Sequence, residues 1–319
     1  MEFGNKTLDT VENLSANSTT TIKLPRDRFV KDIMLYVTLS IKNSGGSSVS
    51  VTEADIIGLI ERLRVTVNGR DTLVDVNAYR KFLFDFFMWN TKPYTNIASS
   101  IGAGATVDFE FEIPIVFAIN PAMEWDVSAV VPAHLTSSFN VYVEVGDPTD
   151  IDANLSIESG SEVEVTVKEL YCTAAEEKEI LSKLKKVYEL EISKLIDAAY
   201  SNYTFAMDLD VGNIIQKLGI FAYNSAGALS DSIITAFKIK QESPVDRTLE
   251  KITWMQSKAE DKRIYDLETL PTGITIWDAE FRAGGLDTRG LKSGDVKFKA
   301  NTASGGSGEQ VVLLHREIA

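Results

Sequence analysis

The run Asp108-x-Glu110-x-Glu112 sets three carboxylates two residues apart. On a β-strand that period puts all three on one face. There one carboxyl could act as acid and a second as nucleophile, the pair that glycoside hydrolysis requires. The competing reading is a solvated outer face, because Val107, Phe109, Phe111 and Ile113 alternate with the acids and would turn toward a core. That reading accounts for all seven residues and is preferred. Asp150-x-Asp152-x-Asn154-x-Ser156 has the one-three-five-seven oxygen spacing of a calcium loop. Leu155 stands where the loop needs glycine, and Ser161 where it needs a bidentate glutamate. An acidic turn explains the run as well.

Other chemistry finds little footing. Only two histidines occur, His134 and His315, in different halves of the chain, so a site using both would have to join the halves. No G-x-S-x-G elbow and no G-x-x-x-x-G-K loop is present. The single cysteine, Cys172, excludes an intrachain disulfide; it closes the alternating run Glu162–Cys172 and reads as a buried strand residue. Asn5, Asn13, Asn17, Asn154 and Asn202 head glycosylation sequons, a pattern common by chance. No catalytic, cofactor-binding or metal-binding residue is therefore assigned.

The elements that would position these groups are written twice. Leu59–Val67 is a strand-like run followed by a polar turn and an amphipathic helix around Val76–Met88; Ile233–Lys240 repeats the strand, followed by a turn and a helix around Asp246–Asp261. The preceding runs also correspond, Ile33–Ile41 with Ile214–Tyr223. Each half closes on two strands, Ser138–Val145 and Glu162–Cys172, then Asp295–Ala300 and Gln310–Ile318. A chain of 319 residues suits two domains of roughly 150 each.

Within the first half, Met1–Ala16 is polar and reads as a flexible arm. Thr19–Leu24 and Val30–Ile41 are strands, and Asn68-Gly69 is a hairpin signal because a type I′ turn needs positive φ at both central positions. Tyr79–Trp89 carries Phe82, Leu83, Phe86, Phe87 and Trp89 at helical spacing, a helix that packs on a barrel flank or between subunits. Pro114 is expected to end the pairing of Thr106–Ile113. Ala122–Val131 reads as a short helix or loop carrying Trp125. Ala174–Val187 is a helical connector with Glu179 four residues before Lys183. The second half restarts with Val187–Ile192 and Tyr203–Leu209, and Gly273–Phe281 is a strand containing Trp277.

Composition narrows the function classes. A formal charge of −14 opposes the cation excess that phosphate-backbone binding needs, so no direct nucleic-acid binding is expected. No run approaches the ~18 apolar residues of a spanning helix, and no secretory signal is visible. The fold expected is all-β: two tandem eight-stranded jelly-roll β-sandwiches, each with a flanking helix. The expected division is a flexible arm 1–16, a jelly roll 17–173, a helical linker 174–186 and a jelly roll 187–319.

These segments together resemble the double jelly-roll major capsid proteins of membrane-containing icosahedral viruses of bacteria and archaea, the lineage related to adenovirus hexon. The resemblance runs from Ser18 onward. It rests on Thr19–Ile33, Leu59–Val65 with Asn68-Gly69 and its helix, and Val131–Leu135 leading into Ser138–Val141. In the second half it rests on Ile233–Ile239, Trp254-Met255-Gln256 and Pro271–Ile276. It implies a non-enzymatic structural protein of the virion, synthesised in the host cytoplasm. It also implies homotrimers that act as pseudo-hexameric capsomers, with minor capsid and vertex proteins and an internal viral membrane as neighbours. The helices Tyr79–Trp89 and Arg247–Ala259 are the candidates for interdomain or intersubunit packing. The loops Asn43–Thr52 and Asn90–Ala105 would face the exterior or the next capsomer. Two other readings compete. A tandem jelly-roll carbohydrate-binding adhesin requires Trp125 or Trp277 exposed in a groove. A carbohydrate-cleaving enzyme would work through Glu110; β-sandwich glucanases with such a strand order it Glu-x-Asp-x-Glu, which this chain does not match.

Overall fold

Alternation of buried and exposed side chains makes strands of nearly every segment read as one. The computed structural model describes residues 1–89, 91–121 and 123–319 and divides into two units, Met1–Val187 and Tyr188–Ala319. The first unit contains β1 (Glu2–Thr7), β2 (Ser18–Lys23), β3 (Phe29–Asn43), β4 (Ile60–Val67), β5 (Asp71–Val76), β6 (Thr106–Val116), β7 (Phe139–Val145) and β8 (Glu162–Tyr171). Its helices are α1 (Glu53–Gly58), α2 (Ala78–Trp89) and α3 (Ala174–Lys183). One sheet runs β1-β8-β3-β6 and the other β2-β7-β4-β5. The second unit contains β9 (Val187–Leu195), β10 (Phe205–Asp208), β11 (Ile214–Tyr223), β12 (Ile234–Gln241), β13 (Arg247–Thr253), β14 (Ile274–Asp278), β15 (Val296–Thr302) and β16 (Gln310–Ile318), with helices α4 (Trp254–Ile264) and α5 (Ala279–Ala283). Its sheets run β9-β16-β11-β14 and β10-β15-β12-β13. The two orders are the same, strand for strand, and each unit inserts a helix, α2 or α4, after its fifth strand. This is the jelly-roll order, repeated.

In the first unit Leu35, Val37, Leu39 and Ile41 of β3 are fully buried, facing the same interior as Phe109, Phe111 and Ile113 of β6 and Val163, Val165 and Val167 of β8. Burying one such side chain is worth about 1.5–3 kcal/mol. The second core gathers Phe205, Ile220, Phe237, Trp254, Phe298 and Leu313, drawn from both of its sheets and from α4. Asn68 (φ 53°) and Gly69 (φ 70°) turn the β4–β5 hairpin as expected.

Several expectations are corrected. The presumed loose arm is not loose: Glu2–Thr7 pairs with β8 from Glu2↔Tyr171 to Thr7↔Thr166 and supplies the first strand of the sandwich. Its largely exposed edge position left no hydrophobic alternation to read. Pro114 does not end the pairing, since β6 continues to Val116 opposite Asp32. The reason lies two residues earlier. The Glu112 N–H points outward to the Tyr94 carbonyl, 3.0 Å away, so position 114 faces the same outer edge and its missing N–H costs β3 nothing. Arg247–Thr253 is a strand rather than the start of a helix. α4 begins at Trp254 because Thr253 and Gln256 cap it reciprocally. The strand expected over Gly273–Phe281 stops at Asp278, which accepts the Phe281 N–H at 2.8 Å and caps α5. Of the helix or loop expected over Ala122–Val131, the structure shows the loop, turns over 123–130, and Asn90 and Ala122, where two expected segments start, lie outside the described residues. The loops around 43–52 and 91–105 hold each other, Val49-Ser50 pairing with Ser100-Ile101. On α2 it is Phe84, not Phe86, that joins Phe82, Leu83 and Phe87 in the interior, together with the buried pair Lys81–Asp85 at 2.5 Å.

A polar hub fixes α4. Asp231 accepts from Trp254 Nε1 (2.9 Å), Lys258 Nζ (2.7 Å) and the Gly273 N–H (2.8 Å). Asp261, fully buried, accepts from Thr275 Oγ1 (2.6 Å) and the Ile276 N–H (3.0 Å). Burial alone would raise the Asp231 carboxyl, but hydrogen bonds from Lys258, Trp254 and Gly273 outweigh it and hold the group below its usual value.

Two outcomes are expected. Asp231→Asn should lower stability at neutral pH by about 1 kcal/mol, a modest figure because the carboxylate is partly solvated. The native advantage is fully present above the ordinary carboxylate value and is lost as pH falls through the depressed one. The gap between the two proteins should therefore hold above about pH 4 and close progressively as pH falls below it. Gly273→Ala should cost clearly more than Gly227→Ala. Both glycines have positive φ (71° and 74°), but a Cβ on Gly273 would stand 2.4 Å from the Ser230 nitrogen, whereas that on Gly227 meets open space. The conformational term alone is about 1–2 kcal/mol, so Gly227→Ala sets the baseline in a urea titration.

Candidate functional site

The three carboxylates of β6 lie opposite Ser40, Thr38 and Tyr36 of β3, in the register Asp108↔Ser40, Glu110↔Thr38 and Glu112↔Tyr36. Asp108 is exposed; Glu110 and Glu112 are half-buried on the outer face. Glu110 accepts from the Tyr94 hydroxyl at 3.1 Å and stands 3.5 Å from Asn96 Nδ2. Tyr36 stacks on Tyr94 with centroids 6.1 Å apart. Its phenol is pushed up to about 12, by burial first and then by the neighbouring Glu110 carboxylate. The anion thus organises two tyrosines on a surface strand.

The calcium-like run is spent on its own turns. Asp152 Oδ1 accepts from the Asn154 backbone and side-chain amides, both at 2.9 Å, and Ser156 Oγ turns to Glu158. His134 meets Glu177 at 2.9 Å and sits edge-on to Phe29, 4.8 Å away. Cys172 is a correction: it lies one residue past β8 and is half-buried rather than buried. Its thiol is raised by burial and by Glu177 and Glu176, the reverse of nucleophile activation. A cavity of about 150 Å³ in the first unit is walled by apolar side chains such as Leu73, Phe117, Val131 and Leu184, with no carboxylate, histidine or cysteine in its lining. Trp277 is buried and Trp125 is 66% exposed, packed against Phe3 at 5.3 Å. Only one of the two tryptophans is thus available to a sugar.

Two groupings escaped the linear sequence. Register sets Lys238 opposite both Lys299 and Lys251, and Lys240 opposite Lys297. Like charges facing across strands repel, and Lys238 is lowered by burial and by Lys299, Lys240 and Lys251. Glu242 relieves part of this by pairing with Lys297 and Lys299. Among the described residues, Asp210, His315 and Glu317 bring ligand-type atoms within 4.8 Å of one another.

The feature that dominates the molecule is the repeated sandwich. No protein-family model and no curated protein matches the sequence. The major capsid protein of Sulfolobus turreted icosahedral virus superposes with a TM-score of 0.84 at 19% identity, covering 100% of this chain and 97% of that one. The fold is that of the double jelly-roll capsid proteins. The major capsid protein from bacteriophage PM2 also matches, with a TM-score of 0.62 at 11% identity over 100% of this chain and 98% of that one. Faustovirus major capsid protein gives 0.63 at 9% identity, with 100% and 90% covered. Double jelly-roll topology thus persists here at identities where side-chain detail has been replaced.

Replacing Glu110 tests the outer-face assignment. Glu110→Gln removes the anion that disfavours tyrosinate, so the Tyr36 titration should move down from about 12 toward the ordinary phenol value. Ultraviolet difference titration reads the shift. An unmoved Tyr36 would break the coupling.

Proposed function

We propose that this chain is a structural major capsid protein that self-assembles as homotrimers, the pseudo-hexameric capsomers of an icosahedral virion shell. The repetition carries the reading: in each unit the eight strands of four or more described residues follow the same order, with a helix after the fifth. Three copies of a two-unit chain supply six similar sandwiches, so a threefold object approximates the sixfold symmetry of a hexagonal lattice. Fold likeness along the full length of other capsid chains supports it. A role in catalysis is not part of the proposal.

The division proposed is two jelly rolls, the first now starting at Glu2 rather than 17, joined through the segment 174–186 that includes α3. The proposed partners are the chain itself, minor capsid and vertex proteins, and an internal viral membrane beneath the shell. The proposed location is the virion, after synthesis in the host cytoplasm. The net charge of −14 supports solubility at the concentrations that precede assembly and argues against a direct grip on nucleic acid. α2 and α4 are proposed to contribute to packing between subunits, α4 through the face bearing Met255, which is 67% exposed.

Light scattering coupled to size exclusion, followed by electron microscopy of the same fractions, decides the matter. The expected particle has three times the 35.2 kDa chain mass and a hexagonal outline. A chain that stays monomeric at every concentration would end the proposal.

A further inference from the structure

The last strand of the second unit points its odd-numbered residues into the core, where Val311 and Leu313 are fully buried. The next two positions of that face are ionisable: His315, 0% exposed, and Glu317, 2% exposed. Placing an imidazole and a carboxylate at the end of an apolar row is costly unless something compensates them. Part of the compensation is internal. His315 Nδ1 lies 3.1 Å from Glu317 Oε1, and Asn213 Nδ2 donates to Glu317 Oε2 at 2.9 Å. The other ring nitrogen, His315 Nε2, is buried with no hydrogen-bond partner, which a histidine–carboxylate pair alone does not explain.

The third member, Asp210, comes from the loop before β11 and is exposed. That loop is held in place. Gly212, at φ 113°, donates its N–H to Thr288 Oγ1 at 3.0 Å, and the Thr288 N–H and hydroxyl both bond the Asn213 carbonyl. One nitrogen and two carboxylate oxygens from the three side chains therefore lie within 4.8 Å of one another.

We infer that Asp210, His315 and Glu317 form a site for a first-row divalent cation, zinc above the others. Mixed imidazole and carboxylate donors suit zinc, whereas calcium and magnesium ask for oxygen alone. The ion would tie the β10–β11 loop to the end of β16, with Asn213 orienting the Glu317 carboxylate.

The untagged full chain, stripped with a chelator and dialysed against zinc, should retain about one zinc per chain by elemental analysis and melt at a higher temperature with zinc than without. Asp210→Asn changes an exposed residue and should fold normally, while losing zinc affinity by about tenfold or more. Glu317→Gln keeps the bond from Asn213 and should lose it too. His134→Gln, a change in the other unit, should retain the metal. Absence of retained zinc in the native chain, retention by Asp210→Asn equal to the native, or loss in His134→Gln would each overturn the assignment and leave His315 and Glu317 as a hydrogen-bonded pair.

Discussion

Each sandwich hangs on one strand that is paired along both edges. In the first unit β3 runs 15 residues, with β6 on one side from Val116↔Asp32 to Thr106↔Lys42 and β8 on the other from Leu170↔Phe29 to Glu162↔Thr38. Because side chains alternate with period two, a slip of one residue would turn Leu35, Val37, Leu39 and Ile41 to the outside together. The buried row therefore fixes the register of both neighbours at once. β11 holds the equivalent place in the second unit, between β16 and β14.

The two units restrain the helix after the fifth strand differently. α2 is held by apolar burial around Phe82, Phe84 and Phe87, with the Lys81–Asp85 pair enclosed beside them. α4 is held by polar bonds, through Asp231 and Asp261 to the strand that follows. A buried hydrogen-bonded network specifies position more narrowly than apolar contact, at a cost in desolvation. The duplication preserves topology, then, without preserving the means of holding it.

How much of this could be read in advance follows from exposure. β3, β4, β7 and β8 declare themselves because one face is apolar at every second residue, and β16 through its continuous run Val311–Leu314. β1 did not, since an edge strand of mostly exposed polar residues has nothing to alternate. β13, Arg-Thr-Leu-Glu-Lys-Ile-Thr, is largely exposed, and its composition suits a helix equally well. The Thr253–Gln256 cap was the available signal for the true start of α4. Of the candidate chemistry, the Asp108–Glu112 face was legible because it lies within one strand. The lysine cluster depends on three strands in register, and Asp210 is brought to His315 and Glu317 only by the closing of the second sandwich. Neither has a local signature.

Pro114 carries a further consequence. Among the described residues the outer edge of β6 is paired only near Glu110–Glu112, and two residues on it presents a proline ring where an incoming backbone would look for an N–H. A sheet edge of that kind is a poor template for runaway polymerisation. Strand-to-strand growth from that edge is therefore disfavoured, and any association of the chain is left to its folded surfaces.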